Sequence, residues 1–137
     1  MFNPFDPANR SKVAMLSNVV LGLFWLALVT GTHIPFDVDL SAPQGGDKVL
    51  HFGAYAGLAF LIATTWQLNA GFLTGRHLFL VWLAAALFGI ADEITQTLVG
   101  RDCSLGDWTA DILGAATGIL AFVLLRRILQ SRLSPNE

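Results

Sequence analysis

Four long apolar stretches, at about residues 13–31, 48–68, 77–99 and 106–125, constrain this chain more than any other feature. Each is long enough to cross the roughly 30 Å hydrocarbon core of a bilayer, which takes about 20 helical residues. Lipid offers the backbone no hydrogen-bond partners, so only helices and closed barrels span it. None of the four runs alternates with period two, so helices are expected. The chain is 54% hydrophobic and 13% charged, about half the charged share of an average soluble domain. The predicted fold is all-α: a single domain over residues 1–137, folded as a four-helix transmembrane bundle.

The connections, residues 32–47, 69–76 and 100–105, are rich in Gly, Pro, Asn or Asp, as turns require. Arg10 and Lys12 ahead of the first run resemble the start of a secretory signal. The run is too long for that, and no small-residue cleavage site follows it, so a retained span is expected. Basic residues in short loops set orientation. Arg10, Lys12, Arg76, Arg126, Arg127 and Arg132 fall on one side and only Lys48 and Arg101 on the other. Six against two predicts that both termini are cytoplasmic. A net charge of −2 gives no footprint for nucleic acid. The single cysteine, Cys103, excludes an internal disulfide and any multi-cysteine metal site.

The polar residues within the spans converge on the opposite, outer end. The second helix enters with Asp47, Lys48, His51 and Tyr55, and Asp47, His51 and Tyr55 recur every four residues on one face. The third helix leaves with Asp92, Glu93 and Gln96, and the fourth enters with Asp107 and Asp111. At 1.5 Å per residue all of these lie within roughly 10 Å of the outer boundary. Small residues share their faces. Asp107, Asp111, Gly114 and Gly118 form one stripe, and Ala85, Gly89, Asp92 and Gln96 another. Gly53 and Gly57 give the second helix a similar motif, and such glycines are expected to let helices pack closely. The first helix carries no charge between Val13 and Gly31 and reads as scaffold.

Asp47, Asp92, Glu93, Asp102, Asp107 and Asp111 surround only Lys48 and Arg101, a formal excess of four negative charges. Such crowding in a low dielectric does not stay fully ionised unaided. Some carboxyls hold protons, or a divalent cation such as Mg²⁺ or Ca²⁺ binds, with Glu93, Asp107 and Asp111 as candidate ligands, or His51 is charged. His51 reads equally as an interfacial histidine satisfied by a carboxylate and as an acid/base or ligand. Adjacent Asp92 and Glu93 point about 100° apart, so either one shares Gln96. Arg101 has two readings: a partner for Asp102 or Asp107, or a guanidinium fork for a phosphate or carboxylate. Lys48 reads as a residue that snorkels to the headgroups. Trp108 is the best aromatic-belt candidate, the basic tail enforces topology, and His33 and Cys103 look incidental.

Asp47-Lys48-Val49-Leu50-His51-Phe52 followed by Tyr55 and Leu58, Asp92-Glu93-Ile94-Thr95-Gln96, Gly100-Arg101, Asp107 and the Gly114/Gly118 pair occur in that order. In these residues the chain resembles the VanZ-like family of small integral membrane proteins, over about two thirds of its length. Asp111 departs from the family pattern, which more often has Asn there. The resemblance implies a multi-pass protein of the bacterial cytoplasmic membrane. The family's namesake is associated with teicoplanin resistance, but fold analogy does not assign chemistry.

The residues support three classes of function. An accessory protein would bind an envelope lipid headgroup, a cation or a glycopeptide-type ligand through Asp47, Lys48, His51, Tyr55, Glu93, Gln96, Arg101, Asp107 and Asp111. An embedded hydrolase or transferase would act on a lipid-linked substrate, with His51, Asp92 and Glu93 as candidate catalytic groups. It has no nucleophile motif, and Ser104 is the only hydroxyl on the nearby loop. A transporter would need polar groups through the midplane, which the inner halves of the helices lack. A purely structural network is the remaining reading; Ser, Thr and Asn would build one more cheaply than buried acids.

Overall fold

The computed structural model describes residues 7–33 and 46–133. It comprises four α-helices: α1 (Pro7–His33), α2 (Gly46–Ala70), α3 (Gly75–Gln96) and α4 (Leu105–Leu133), with a 3₁₀ turn at Thr97–Val99 after α3. Each helix is long and apolar enough to cross a membrane. The chain is therefore an all-α, four-helix membrane bundle. Most of the first connection, residues 34–45, lies outside the described residues.

The helices differ from their predicted bounds mainly at their ends. α1 runs past Gly31 through Thr32 to His33, and α4 continues beyond Leu125 through the basic tail to Leu133. Arginines are good helix formers and suit a helix C-terminus, so the tail extends α4 rather than ending it. α3 is capped by Thr74, whose N–H donates to the His77 ring at 3.1 Å, with His77 in the capping-box position usually held by Glu or Gln. It ends in a Schellman motif: Gly100, at φ 82°, donates to Thr97 O at 3.3 Å and Arg101 donates to Gln96 O at 3.1 Å. That reversal turns Arg101 back over the bundle.

α2 and α4 form the central pair. Lys48 meets Asp107, His51 meets Asp111, and Gly114 and Gly118 lie against the carbonyls of Phe52 and Ala56. Both numbers rise together, so the two helices run parallel, as two spans separated by a third must. A Cβ at Gly114 or Gly118 would collide with the α2 backbone, so only glycine allows this approach. α1 packs on α2, with the Phe24 ring over Gly57, and α3 packs on α4, with Gly89 facing Asp111 and Trp108. Gly53 behaves differently from the packing glycine expected there. No atom lies within 4 Å of where its Cβ would sit, because α4 approaches the face of α2 that carries Phe52 O and Ala56 O. Trp108 is not a free belt residue either: its indole N–H donates to Ala86 O at 3.0 Å, tying α4 to α3.

The bundle is apolar outside and partly polar inside. Leu23 and Leu98 are 62% and 83% exposed, toward the position of lipid. The core is built from Leu28, Leu58, Ala59, Val81, Ala85 and Ala115, with Tyr55 at its polar end. His51, Asp92, Glu93, Gln96, Asp107 and Asp111 are all buried.

Candidate functional site

Four helix ends and one loop build the polar end. The first turns of α2 bring Asp47, Lys48, His51 and Tyr55. The last turns of α3 bring Asp92, Glu93 and Gln96, and the first turns of α4 bring Asp107 and Asp111. Three groups result. At the rim, Lys48 Nζ lies 3.1 Å from Asp107 Oδ1 and 3.7 Å from Asp47 Oδ2, so Lys48 bridges α2 to α4 rather than simply reaching for headgroups. Against α1, Asp92 Oδ1 accepts the Thr32 hydroxyl at 3.0 Å and Oδ2 accepts the Gln96 amide at 2.9 Å. At the centre, His51 Nδ1 lies 3.0 Å from Asp111 Oδ1, and Glu93 Oε2 accepts the Ser104 N–H at 2.6 Å.

α1 is more than scaffold. Besides Thr32, it supplies His33, whose Nε2 hydrogen-bonds with the Thr95 hydroxyl at 2.9 Å and whose Nδ1 lies 3.7 Å from Asp92. His33 is thus part of the wall of the site and not incidental. Sequence reasoning missed both residues because Gly31 reads as a helix end. The signal available was a polar Thr-His pair closing an apolar run at the depth of the cluster. Ser104 is structural as well, since its hydroxyl accepts the Asp107 N–H at 3.2 Å and so caps α4.

Arg101 is half-buried, and its guanidinium donates to Thr32 O at 2.9 Å. Among the described residues it has no carboxylate partner; Asp102 and Asp107 are not within ion-pair distance. It lines a cleft of about 280 Å³ between α1 and α2, together with Thr32, Asp47, His51 and Tyr55. The cleft shares Ala27, Leu28, Leu50 and Ala54 with a second groove of about 380 Å³, which adds Phe24, Val49 and Gly53. A polar mouth therefore opens into an apolar furrow along the same two helices. The open space above Gly53 belongs to that furrow.

Among the described residues, three buried polar atoms at the centre have no hydrogen-bond partner: Tyr55 Oη, Glu93 Oε1 and Asp111 Oδ2. Buried polar groups are nearly always paired, so three orphans together are unusual. His51, Glu93 and Asp111 each offer one ligand-type atom, all within 4.8 Å of one another. Asp107, expected among the metal-ligating acids, is instead engaged by Lys48.

Fold and site together define a small multi-pass helical membrane protein with a charged, buried cluster at one end of its bundle. The VanZ/LLP1 family model matches residues 4–126, and the chain belongs to that family. None of the curated proteins and none of the solved structures matches it.

Proposed function

We propose that this VanZ-like protein is an accessory binding protein of the bacterial cytoplasmic membrane that seats an envelope lipid by its phosphate-bearing headgroup. The observation that carries this reading is Arg101. Its guanidinium has no carboxylate partner among the described residues and stands at the mouth of a cleft continuous with an apolar furrow. Guanidinium groups bind phosphate through paired, charge-assisted hydrogen bonds. Asp47, on the same cleft, offers a carboxylate to a headgroup amine. The furrow walls favour a ligand with a hydrocarbon tail over a glycopeptide-type or inorganic one. The six-to-two distribution of basic residues orients this mouth outward, with both termini cytoplasmic.

Turnover has less support. The Ser104 hydroxyl caps α4, and both oxygens of Asp92 are occupied by Thr32 and Gln96. A transport path is disfavoured by the apolar core below Tyr55.

The test is retention of phosphatidylethanolamine by the purified protein, counted by native mass spectrometry. A hydrogen bond to a charged group contributes about 1.5–3 kcal/mol. Arg101→Ala is therefore expected to weaken retention by roughly ten- to a hundredfold. Gly53→Leu, whose Cβ meets no other residue within 4 Å and whose side chain projects into the furrow, is expected to reduce binding of the long-chain lipid and spare a dihexanoyl analogue. Unchanged retention in both variants would overturn the reading.

A further inference from the structure

We propose that His51, Glu93 and Asp111 form a binding site for one divalent cation of the Zn²⁺ or Mn²⁺ type, set behind the headgroup cleft. The three come from α2, α3 and α4 and are 6%, 3% and 0% exposed. Ligand atoms about 2.1 Å from a tetrahedral ion lie roughly 3.4 Å apart. The three ligand atoms lie within 4.8 Å of one another, so side-chain shifts of roughly an ångström close them onto one ion.

Two further observations point to a ligand at this place. Glu93 Oε1 and Asp111 Oδ2 are buried without partners, and the Tyr55 hydroxyl, one turn below His51 on the same face of α2, is unpartnered too. Gly89 stands directly against the orphaned carboxylate oxygen: a Cβ there would come within 2.9 Å of Asp111 Oδ2. Only glycine there lets Asp111 Oδ2 pack so close to α3, the helix that carries Glu93, and among the described residues nothing donates to it.

Charge leads to the same conclusion. Lys48 offsets Asp107, and Thr32 and Gln96 solvate Asp92 beside His33. The remaining buried acids, Glu93 and Asp111, face one imidazole, and a doubly charged ion neutralises two carboxylates with the imidazole neutral. The donor set selects the ion. Ca²⁺ takes six to eight oxygens, and Mg²⁺ prefers oxygen and keeps its waters. One imidazole with two carboxylates and no thiolate suits Zn²⁺, or Mn²⁺ as a harder ion. Because His51 also lines the cleft, the ion would lie beside any headgroup bound there. The cation site does not depend on the lipid reading, and its test contains no lipid ligand.

Full-length protein in detergent is stripped with chelator and then offered Zn²⁺, Mn²⁺, Mg²⁺ or Ca²⁺, with bound metal counted by mass spectrometry and the melting temperature recorded. Wild type is expected to hold one Zn²⁺ or Mn²⁺ per chain and to melt higher with it. Glu93→Gln and Asp111→Asn keep side-chain shape and are expected to lose both the ion and the melting response. Asp107→Asn is expected to keep them. Co²⁺ bound at the site should give visible absorption bands that vanish in His51→Ala. The proposal is overturned by a wild-type chain that takes up none of these ions, or by equal uptake in the Glu93 and Asp111 variants, which would mark surface binding. Preference for Ca²⁺ or Mg²⁺ would overturn the assigned ion type.

Discussion

Both ends of this bundle are joined by interhelical polar contacts, made of opposite chemistry. At the end away from the acids, Ser17 Oγ donates to Thr65 Oγ1 at 3.1 Å, and Thr65 returns a bond to Ser17 O at 3.3 Å. Asn18 and Asn69 exchange amide hydrogen bonds at 3.4 and 3.3 Å, and Asn69 also donates to Thr65 O at 2.7 Å. Each of these groups is neutral and paired. The acidic end instead buries four carboxylates and leaves three polar atoms without partners. The neutral contact between α1 and α2 shows how this chain joins two helices when adhesion alone is needed, while charged Arg126 ties α4 to Gln67 and Leu73 O at the same end. Interhelical hydrogen bonds of that kind contribute about 0.6 kcal/mol each, whereas a charge deep in a membrane costs about 2.5–3.5 kcal/mol. By that arithmetic the acidic end is a costly adhesive, which favours the proposed cation over a purely structural network.

Three experiments test that contrast. The largest effect is expected from Gly118→Leu, which drives a side chain into the Ala56 carbonyl and separates α2 from α4. A loss of about 3 kcal/mol or more is expected, read as a collapse in monodisperse yield, with both polar layers lost together. Survival of cation uptake in that variant would make the two ends independent. Next, Glu93→Gln in chelator-treated protein is expected to raise stability by about 1 kcal/mol in denaturant unfolding, because the introduced amide donates where a carboxylate cannot. Reduced stability in the ion-free state would instead make the acidic end an adhesive and break the comparison. The smallest effect is a double-mutant cycle on Asn18 and Asn69, with an expected coupling of about 0.6 kcal/mol. A coupling near zero would show that the neutral layer fills space rather than binds.

Much of this arrangement was legible in the residue order. Hydropathy located four spans, and the three- and four-residue spacing of Asp107, Asp111, Gly114 and Gly118 set a stripe that packs against α2. Spacing fixes which residues share a helix face, but not how two helices are rotated against each other. That is why Asp107 faces Lys48, while His51 takes the place beside Glu93 and Asp111. The same limit applies to Gly53 and Gly57. A pair of small residues permits close approach without naming a partner, and only Gly57 meets one, in Phe24. The part played by α1 was hidden for a different reason. Helix continuation past Gly31 depends on Thr32 and His33 finding Asp92 and Thr95 in a span some sixty residues later.

The parallel pairing of α2 with α4 has a consequence for biogenesis. Two spans that lie side by side in the finished bundle enter the membrane with a third between them. Until α4 is inserted, the α2 backbone lacks the glycine surface it rests on, and His51 lacks Asp111. The His51–Asp111 contact therefore forms only after α4 joins α2. A chain stopped after α3 exposes the α2 face that Gly114 and Gly118 cover in the finished bundle.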